Sequence, residues 1–318
     1  MLKNIAAVFA LALSFTASAQ DYPNRPITLV VPFAPGGTVD LMGRIISERL
    51  SVHLGQPVIV SNRAGAGGTI GTGVVAKAPA DGYTLLVGTQ GQVLQPLLYK
   101  KLNFDSNKDL LTAATFASVP NVLAVSMNTP AATMSEFVEY ARSNPGAINM
   151  GSAGIGSINH LVGEIFQDRA NVKLTHIPYK GAAPAMTDLQ AGEVHALFVN
   201  LPNVMSHVAA GKVRLLGIAS DKRSPAIPDV PTFAEGGVQD TVLDSWYGVM
   251  APVATPQAVV KKIQDAVLAM TQEQDFAASL IAQGAIPFAR NAAESAKIME
   301  DDLKLWAPVV ERLNIQMD

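Results

Sequence analysis

The chain of 318 residues contains no cysteine. That excludes disulfides, a thiolate nucleophile, a cysteine-ligated metal and a cysteine-linked lipid anchor. Aromatic residues are scarce, at 6%, so aliphatic side chains and alanine must fill the interior. Charge is sparse too: 15% of residues, with 23 Lys and Arg against 26 Asp and Glu for a net −3. Such a balance offers no basic face for a phosphate backbone and no polybasic segment for a membrane surface, so nucleic acid is not an expected partner. Beyond the first twenty residues no apolar run reaches the ~20 residues of a membrane span without a charge, Gly or Pro. What is plentiful is hydrophobic residues, 49% of the chain, enough for a sizeable core and too many for wholesale disorder.

The first residues have their own logic. Lys3 precedes an apolar stretch at 5–15, and Ala17-Ser18-Ala19 follows as an A-x-A site. This reads as a secretory signal peptide, 1–19, cut after Ala19, because the apolar stretch is too short to anchor the chain. The mature protein is expected to be exported, to the periplasm in a Gram-negative host.

From there the pattern is strand–turn–helix. The run I-T-L-V-V-P-F (27–33) is apolar throughout, as suits a strand buried on both faces. The turn A-P-G-G-T (34–38) leads into helical spacing at Met42, Ile45, Ile46 and Leu50, which Gly55 stops. Thr38 is the expected N-cap, and Asp40 lies in the first turn, where negative charge is favoured. Strands are expected at 57–61 and 83–88, with a glycine-rich stretch (62–73) and a short helix between them. The style recurs at 122–128 (strand), 133–144 (helix opened by the capping box Thr133-x-x-Glu136) and 148–152 (strand). Next come the turn A-G-I-G-S (153–157), with Ser157 as N-cap of a helix to Arg169, and strands at 173–179, 195–200 and 213–220. The tail holds a strand near 246–252 and helical patterns near 256–270, 272–283 and 291–314. Alternation of this kind implies α/β architecture with parallel, doubly wound sheets. Two extended runs, 112–128 and 244–252, lack an intervening helix. They are expected to be two hinge crossings between lobe I (20–121 and 243–318) and lobe II (122–242).

Most catalytic signatures are missing. None of the five histidines forms an HExxH or H-x-H pair, and His160 with Glu164 on one helix face reads as surface polarity rather than a metal site. Ser152 and Ser157 have Met150 and Ile155 where a nucleophile elbow needs a glycine two residues before the serine. There is no Walker loop, and the G-x-G-x-x-A match at 71–76 does not open a helix at a strand end. No cofactor and no metal are expected.

Two turns carry chemistry instead: 31–38 and 149–160. Each follows an apolar strand, is rich in small residues and opens a helix. Free N–H groups and the partial positive charge of a helix start bind carboxylates or phosphates without a basic side chain. Further candidates stand at strand ends, where ligands bind in open α/β sheets: Thr89, Gln90, Tyr179, Lys180, Gly181 and Asn200.

These segments carry a resemblance. R-P-I-T-L-V-V-P-F-A-P-G-G-T-V-D (25–40), L-G-Q-P-V-I-V-S-N-R-A-G-A-G-G-T-I-G (54–71) and N-M-G-S-A-G-I-G-S-I-N-H-L-V-G-E (149–164) resemble the Bug family, the extracytoplasmic solute receptors of tripartite tricarboxylate transporters. I-P-Y-K-G-A-A-P-A-M-T-D-L (177–189) and R-S-P-A-I-P-D-V-P-T-F-A-E-G-G (223–237) are similar to later blocks in the same order. The resemblance implies a type II-like, two-lobed periplasmic binding fold, no enzymatic activity, a small mono- or dicarboxylate as ligand, aromatic acids included, and a membrane permease as partner. It also implies that the two turns hold the carboxylate, partly through ordered water. By position it nominates Phe33, Ala34, Pro35, Gly36, Gly37 and Thr38; Gly151, Ser152, Gly154, Gly156, Ser157 and His160; and, lining the pocket, Thr89, Gln90, Tyr179, Gly181, Ala182 and Asn200. The segment Gly88-Thr89-Gln90-Gly91-Gln92 is richer in glutamine than the family pattern. A sensory co-receptor for a signalling kinase and an exported hydrolase are the competing expectations. No apolar helix face demands association, so a monomer is expected.

Overall fold

The computed structural model describes residues 22–317, so the leader assigned to 1–19 lies outside the described residues. The first sheet is assembled from βα units. Strand β1 (Ile27–Val31) is followed by helix α1 (Thr38–Leu54), strand β2 (Val58–Asn62), helix α2 (Thr69–Ala76) and strand β3 (Thr84–Thr89). β1 pairs in parallel with both β2 and β3. Its apolar residues are buried because α1 covers one face and later elements the other. Gly55 ends α1 in the left-handed region, at φ 66°, where a Cβ is strained.

Beyond β3 lie α3 (Gln90–Leu98), the single turn α4 (Ser106–Asp109) and the first crossing. β4 (Leu110–Val119) and β5 (Asn121–Ser126) are separated only by Pro120. The second sheet then forms from α5 (Met134–Ser143), β6 (Asn149–Ser152), α6 (Ile158–Ala170), β7 (Thr175–Pro178), α7 (Ala182–Ala191), β8 (Ala196–Asn200), α8 (Met205–Ala209) and β9 (Val213–Ile218). The chain returns along β10 (Ser245–Pro252) and finishes with α9 (Gln257–Met270), α10 (Gln274–Ala282), β11 (Ile286–Arg290) and α11 (Ala292–Arg312).

The strand orders are β11-β4-β10-β3-β1-β2 and β7-β6-β8-β5-β9. Both sheets are mixed rather than wholly parallel. Parallel pairing holds where a helix intervenes, but β10 runs antiparallel to β3 and β4, and β5 antiparallel to β8 and β9. The reason is topological: a strand that crosses between sheets enters its new sheet without the helical crossover that parallel pairing requires. The two crossings are tied to each other, since Asn121 Nδ2 donates to Leu243 O at 2.7 Å and to Ser245 Oγ at 3.2 Å.

Besides the short helices α4 and α8, two further elements were not expected from the sequence. α3 occupies the glutamine-rich segment, and β11 sits on the edge of the first sheet. The C-terminal helix α11 is shared: Trp306, Val309 and Val310 pack with Leu94 and Leu98 of α3 and with Leu161, Ile165 and Phe166 of the second sheet's α6.

Gly71 fixes how closely α2 approaches the end of β1. A Cβ there would lie 2.7 Å from Pro32 Cα and 2.8 Å from the Arg63 carbonyl oxygen, both main chain. Gly71→Ala is therefore expected to lose about 1–3 kcal/mol of stability, against the gain of up to about 1 kcal/mol usual for this change inside a helix. Urea unfolding checks this; a midpoint equal to or above that of the unsubstituted protein contradicts it.

Candidate functional site

The first turn follows β1 directly. Phe33 is half-buried, Ala34, Pro35 and Gly36 are exposed, and Gly36 turns the chain at φ 92°. The N-cap of α1 is Gly37, not Thr38, and it has no side chain to satisfy the helix start. Thr38 is the first helical residue, and its hydroxyl donates instead to Asn203 Oδ1 at 3.1 Å. Asn203 follows β8, so this bond joins the first turn to the second sheet. Asp40 folds back beneath the turn, accepting from Gly36 N–H and from Arg44 Nε, both at 3.0 Å, and from Asn62 Nδ2 at 2.8 Å. Burial alone would raise this carboxyl, but those donors outweigh it and hold it below the usual range. The main-chain N–H groups of Gly37, Thr38 and Val39 have no partner among the described residues.

The second turn is braced from within. Ser152, at the end of β6, is fully buried, and its hydroxyl lies 2.7 Å from His176 Nε2 while accepting from Gly154 N–H at 3.1 Å. Gly156 N–H donates to His160 Nδ1 at 3.2 Å, Ser157 N–H to the Gly154 carbonyl at 3.2 Å, and His160 N–H to Ser157 Oγ at 3.3 Å. Ser157 is thus the N-cap of α6, as expected. The N–H groups of Gly154, Gly156 and Ser157 are consequently engaged inside the turn. Those of Ala153, Ile155, Ile158 and Asn159 have no partner among the described residues. Gly151 is buried in β6 and contributes close packing against Leu197.

Behind this turn His160 stacks on His176, with ring centroids 3.8 Å apart and planes 12° from parallel. Because His160 Nδ1 accepts a hydrogen bond, its proton sits on Nε2, which faces Glu164 Oε1 at 3.7 Å. His160 is 6% exposed, which corrects its assignment to a helix surface. Burial first, and the neighbouring His176 second, lower its pKa to about 4; burial also lowers His176 and raises Glu164.

The strand-end candidates divide. Thr89 is buried and builds a capping box for α3, accepting from Gly91 N–H while Gln92 Oε1 receives its main-chain N–H. Its hydroxyl is therefore engaged locally. Gln90 is buried and donates from Nε2 to Asp244 O at 2.9 Å. Asn200 donates to Asn121 Oδ1 and Ser245 Oγ, both at 3.1 Å, placing it at the crossings. Tyr179 donates its hydroxyl to Asp188 at 2.6 Å, and Gly181 N–H pairs with the Ala153 carbonyl, so the 179–182 loop props the second turn. Ala182 is the first, half-buried residue of α7. Sequence reading missed Asn121, Asn159, His176, Asn203 and Ser245, all positioned by tertiary contact alone.

Helix α3 packs against the second turn and lies near the first. A Cβ on Gly68 would lie 3.1 Å from the Phe33 ring and 3.5 Å from Gln95 Nε2, and one on Gly156 3.4 Å from the Leu98 methyls. A cavity of about 550 Å³ lies elsewhere, between α4, the start of β4 and α11, and none of the nominated residues lines it. Its walls are largely aliphatic. Among the described residues no group of three or more His, Asp or Glu side chains is placed to hold a metal.

Two mixed sheets with flanking helices, bridged by paired crossings and each offering a free helix start, define a periplasmic binding protein fold. The model of the tripartite tricarboxylate transporter family receptor matches residues 42–315, and the chain belongs to that family. It is 36% identical to protein BugT of Bordetella pertussis over 94% of this chain and 93% of that one. Among solved structures it resembles Rpa4515 of R. palustris with adipate, at 36% identity, TM-score 0.86, and coverage of 93% of this chain and 100% of that one. It also resembles MatC from Rhodopseudomonas palustris with bound malate, at 32% identity, TM-score 0.80, and coverage of 91% and 100%.

The neutral histidine stack gives stability a defined pH dependence. An unfolded His160 takes its proton near the ordinary 6.5 and the folded one only near 4. Its contribution is therefore complete above about pH 6.5 and is lost as pH falls towards 4. Asp244 and Asp302, raised to about 6 chiefly by burial, act in the opposite sense, so the whole-protein profile blends the two. The difference between proteins isolates the histidine. The stability gap between the unsubstituted chain and His160→Phe is expected to shrink by roughly 2 kcal/mol from pH 7 to 4.5. A gap that stays constant with pH contradicts a neutral, buried His160.

Proposed function

We propose that this protein is an exported periplasmic receptor. It captures a small carboxylate between two lobes, 20–121 with 243–318 and 122–242, and hands it to the permease of a tripartite tricarboxylate-type transporter, as a monomer and without performing chemistry on it. One observation carries this reading. Free main-chain N–H groups stand at the starts of two helices that flank different sheets: Gly37 to Val39 at the start of α1, and Ile158 and Asn159 at the start of α6. A carboxylate has lone pairs for both sets at once, and each helix start favours a negative charge by about 0.3–1 kcal/mol when exposed and up to about 2 when partly buried. The adipate and malate found with related receptors support the ligand class.

In this reading Phe33, Ala34 and Pro35 wall one side of the cleft, and Ile155, half exposed at the tip of the second turn, walls the other. Ligand and main chain together hold the lobes closed, biasing a hinge equilibrium about the crossings at 120 and 244. The leader at 1–19 directs export.

Calorimetric titration with a panel of organic carboxylates is expected to give at least one ligand with an affinity near micromolar, about −8 kcal/mol. Ser157→Ala removes the cap of α6 and the brace on Gly154, and is expected to weaken that ligand about five- to tenfold. Binding by no carboxylate contradicts the proposal.

A further inference from the structure

Where the ends of β3, β5, β8, β10 and the start of α6 come together, four side-chain amides and one serine form a cluster that is buried apart from the half-buried Asn200. The direction of each amide is dictated by its partner. Asn121 must turn Nδ2 towards the Leu243 carbonyl, which only accepts. Its Oδ1 therefore faces the other way and receives Nδ2 of Asn159 at 3.3 Å and of Asn200 at 3.1 Å. Gln90 likewise must present Nε2 to the Asp244 carbonyl. The orientation follows from the acceptors at the end of each chain of bonds, not from a choice between oxygen and nitrogen.

The consequence lies on the outward side. Having given their amino groups inward, Asn159, Asn200 and Gln90 are left with carbonyl oxygens that have no donor among the described residues. Of these three oxygens, Gln90 Oε1 is the one closed off from water. An unmatched buried acceptor costs about 1–3 kcal/mol. No Lys or Arg side chain bonds into the cluster among the described residues, and Asp244 stands beside it, accepting from Ser220. Asn159 is also the second residue of α6, where a free main-chain N–H marks the anion end, so the acceptors adjoin the carboxylate position rather than forming a separate site.

We infer that the floor of the cleft is built to accept hydrogen bonds, and that the ligand is a monocarboxylate carrying a donor group, a hydroxyl or an ammonium, rather than a dicarboxylate or a plain alkyl acid. This rests on the reading of the two turns as a carboxylate clamp. A second carboxylate would meet three carbonyl oxygens and Asp244 with no cation to offset them, while an alkyl end would leave the acceptors unmatched. Sites built to bond a hydroxyl reject the analogue that lacks it more strongly than an apolar pocket rejects a missing methylene.

The test is calorimetry at pH 7.5 with matched triads: 6-hydroxyhexanoate, hexanoate and adipate; 4-hydroxybutyrate, butyrate and succinate; 3-hydroxybenzoate, benzoate and isophthalate. Within the triad that binds tightest, the hydroxy acid is expected to exceed both companions by about tenfold. In Gln90→Met, which keeps length and removes the acceptor, the ratio of hydroxy acid to alkyl or unsubstituted acid is expected to fall to about threefold or less. That ratio is read within one protein, so a general loss of stability does not produce it. A dicarboxylate or an unsubstituted acid that binds as well as the hydroxy acid overturns the inference and leaves the carboxylate clamp standing. Binding by no member of any triad overturns the clamp itself and this inference with it.

Discussion

An α-helix cannot bond its own first N–H groups, and in this protein the starts of α1 and α6 each leave several of theirs without a partner among the described residues. Gly37 has no side chain to cap α1, and Ser157 caps only one N–H of α6. In the proposed reading, the surrounding bonds serve to keep those donors free. Asp40 takes the Gly36 N–H and is itself held by Arg44 and Asn62, so the turn is rigid while the next three N–H groups stay open. The second turn is braced by its own serines and by His160 in the same spirit. A charged lysine or arginine at either place would bind anions more strongly and release them less readily. Dipolar donors give a grip that solvent exclusion on closure can switch.

The bracing depends on neutrality. His160 accepts from Gly156 only while its Nδ1 carries no proton, and two imidazoles stacked face to face tolerate one added charge poorly, two worse. Burial supplies that neutrality. In the proposed hinge motion, the sharing of α11 between both sheets requires the α3–α11–α6 contact to stay intact or to slide. The crossings are fastened to each other through Asn121 and Ser245.

Much of this was legible in the sequence. The turns at 34–38 and 153–157 announced themselves through glycines between an apolar strand and a helical pattern, and the crossings through extended runs without a helix. The missed elements have physical reasons. α3 contains Pro96 and three glutamines, which blur its apolar stripe, although Thr89-x-x-Gln92 is a capping box that marks its start. β11 is half-buried at every position and so shows no alternation. Thr38 looked like a cap because a hydroxyl at a helix start usually is one; the bond to Asn203 across the sheets outcompeted that role. The amide cluster and the histidine stack join residues between 16 and 154 positions apart, and no local spacing encodes them.

The claim that both helix starts grip one anion is tested most directly by following backbone amide resonances during titration with a binding carboxylate. The account predicts that the N–H signals of Gly37, Thr38 and Val39 move together with those of Ile158 and Asn159 and saturate at the same ligand concentration. Shifts confined to one turn, or centred away from both, contradict it.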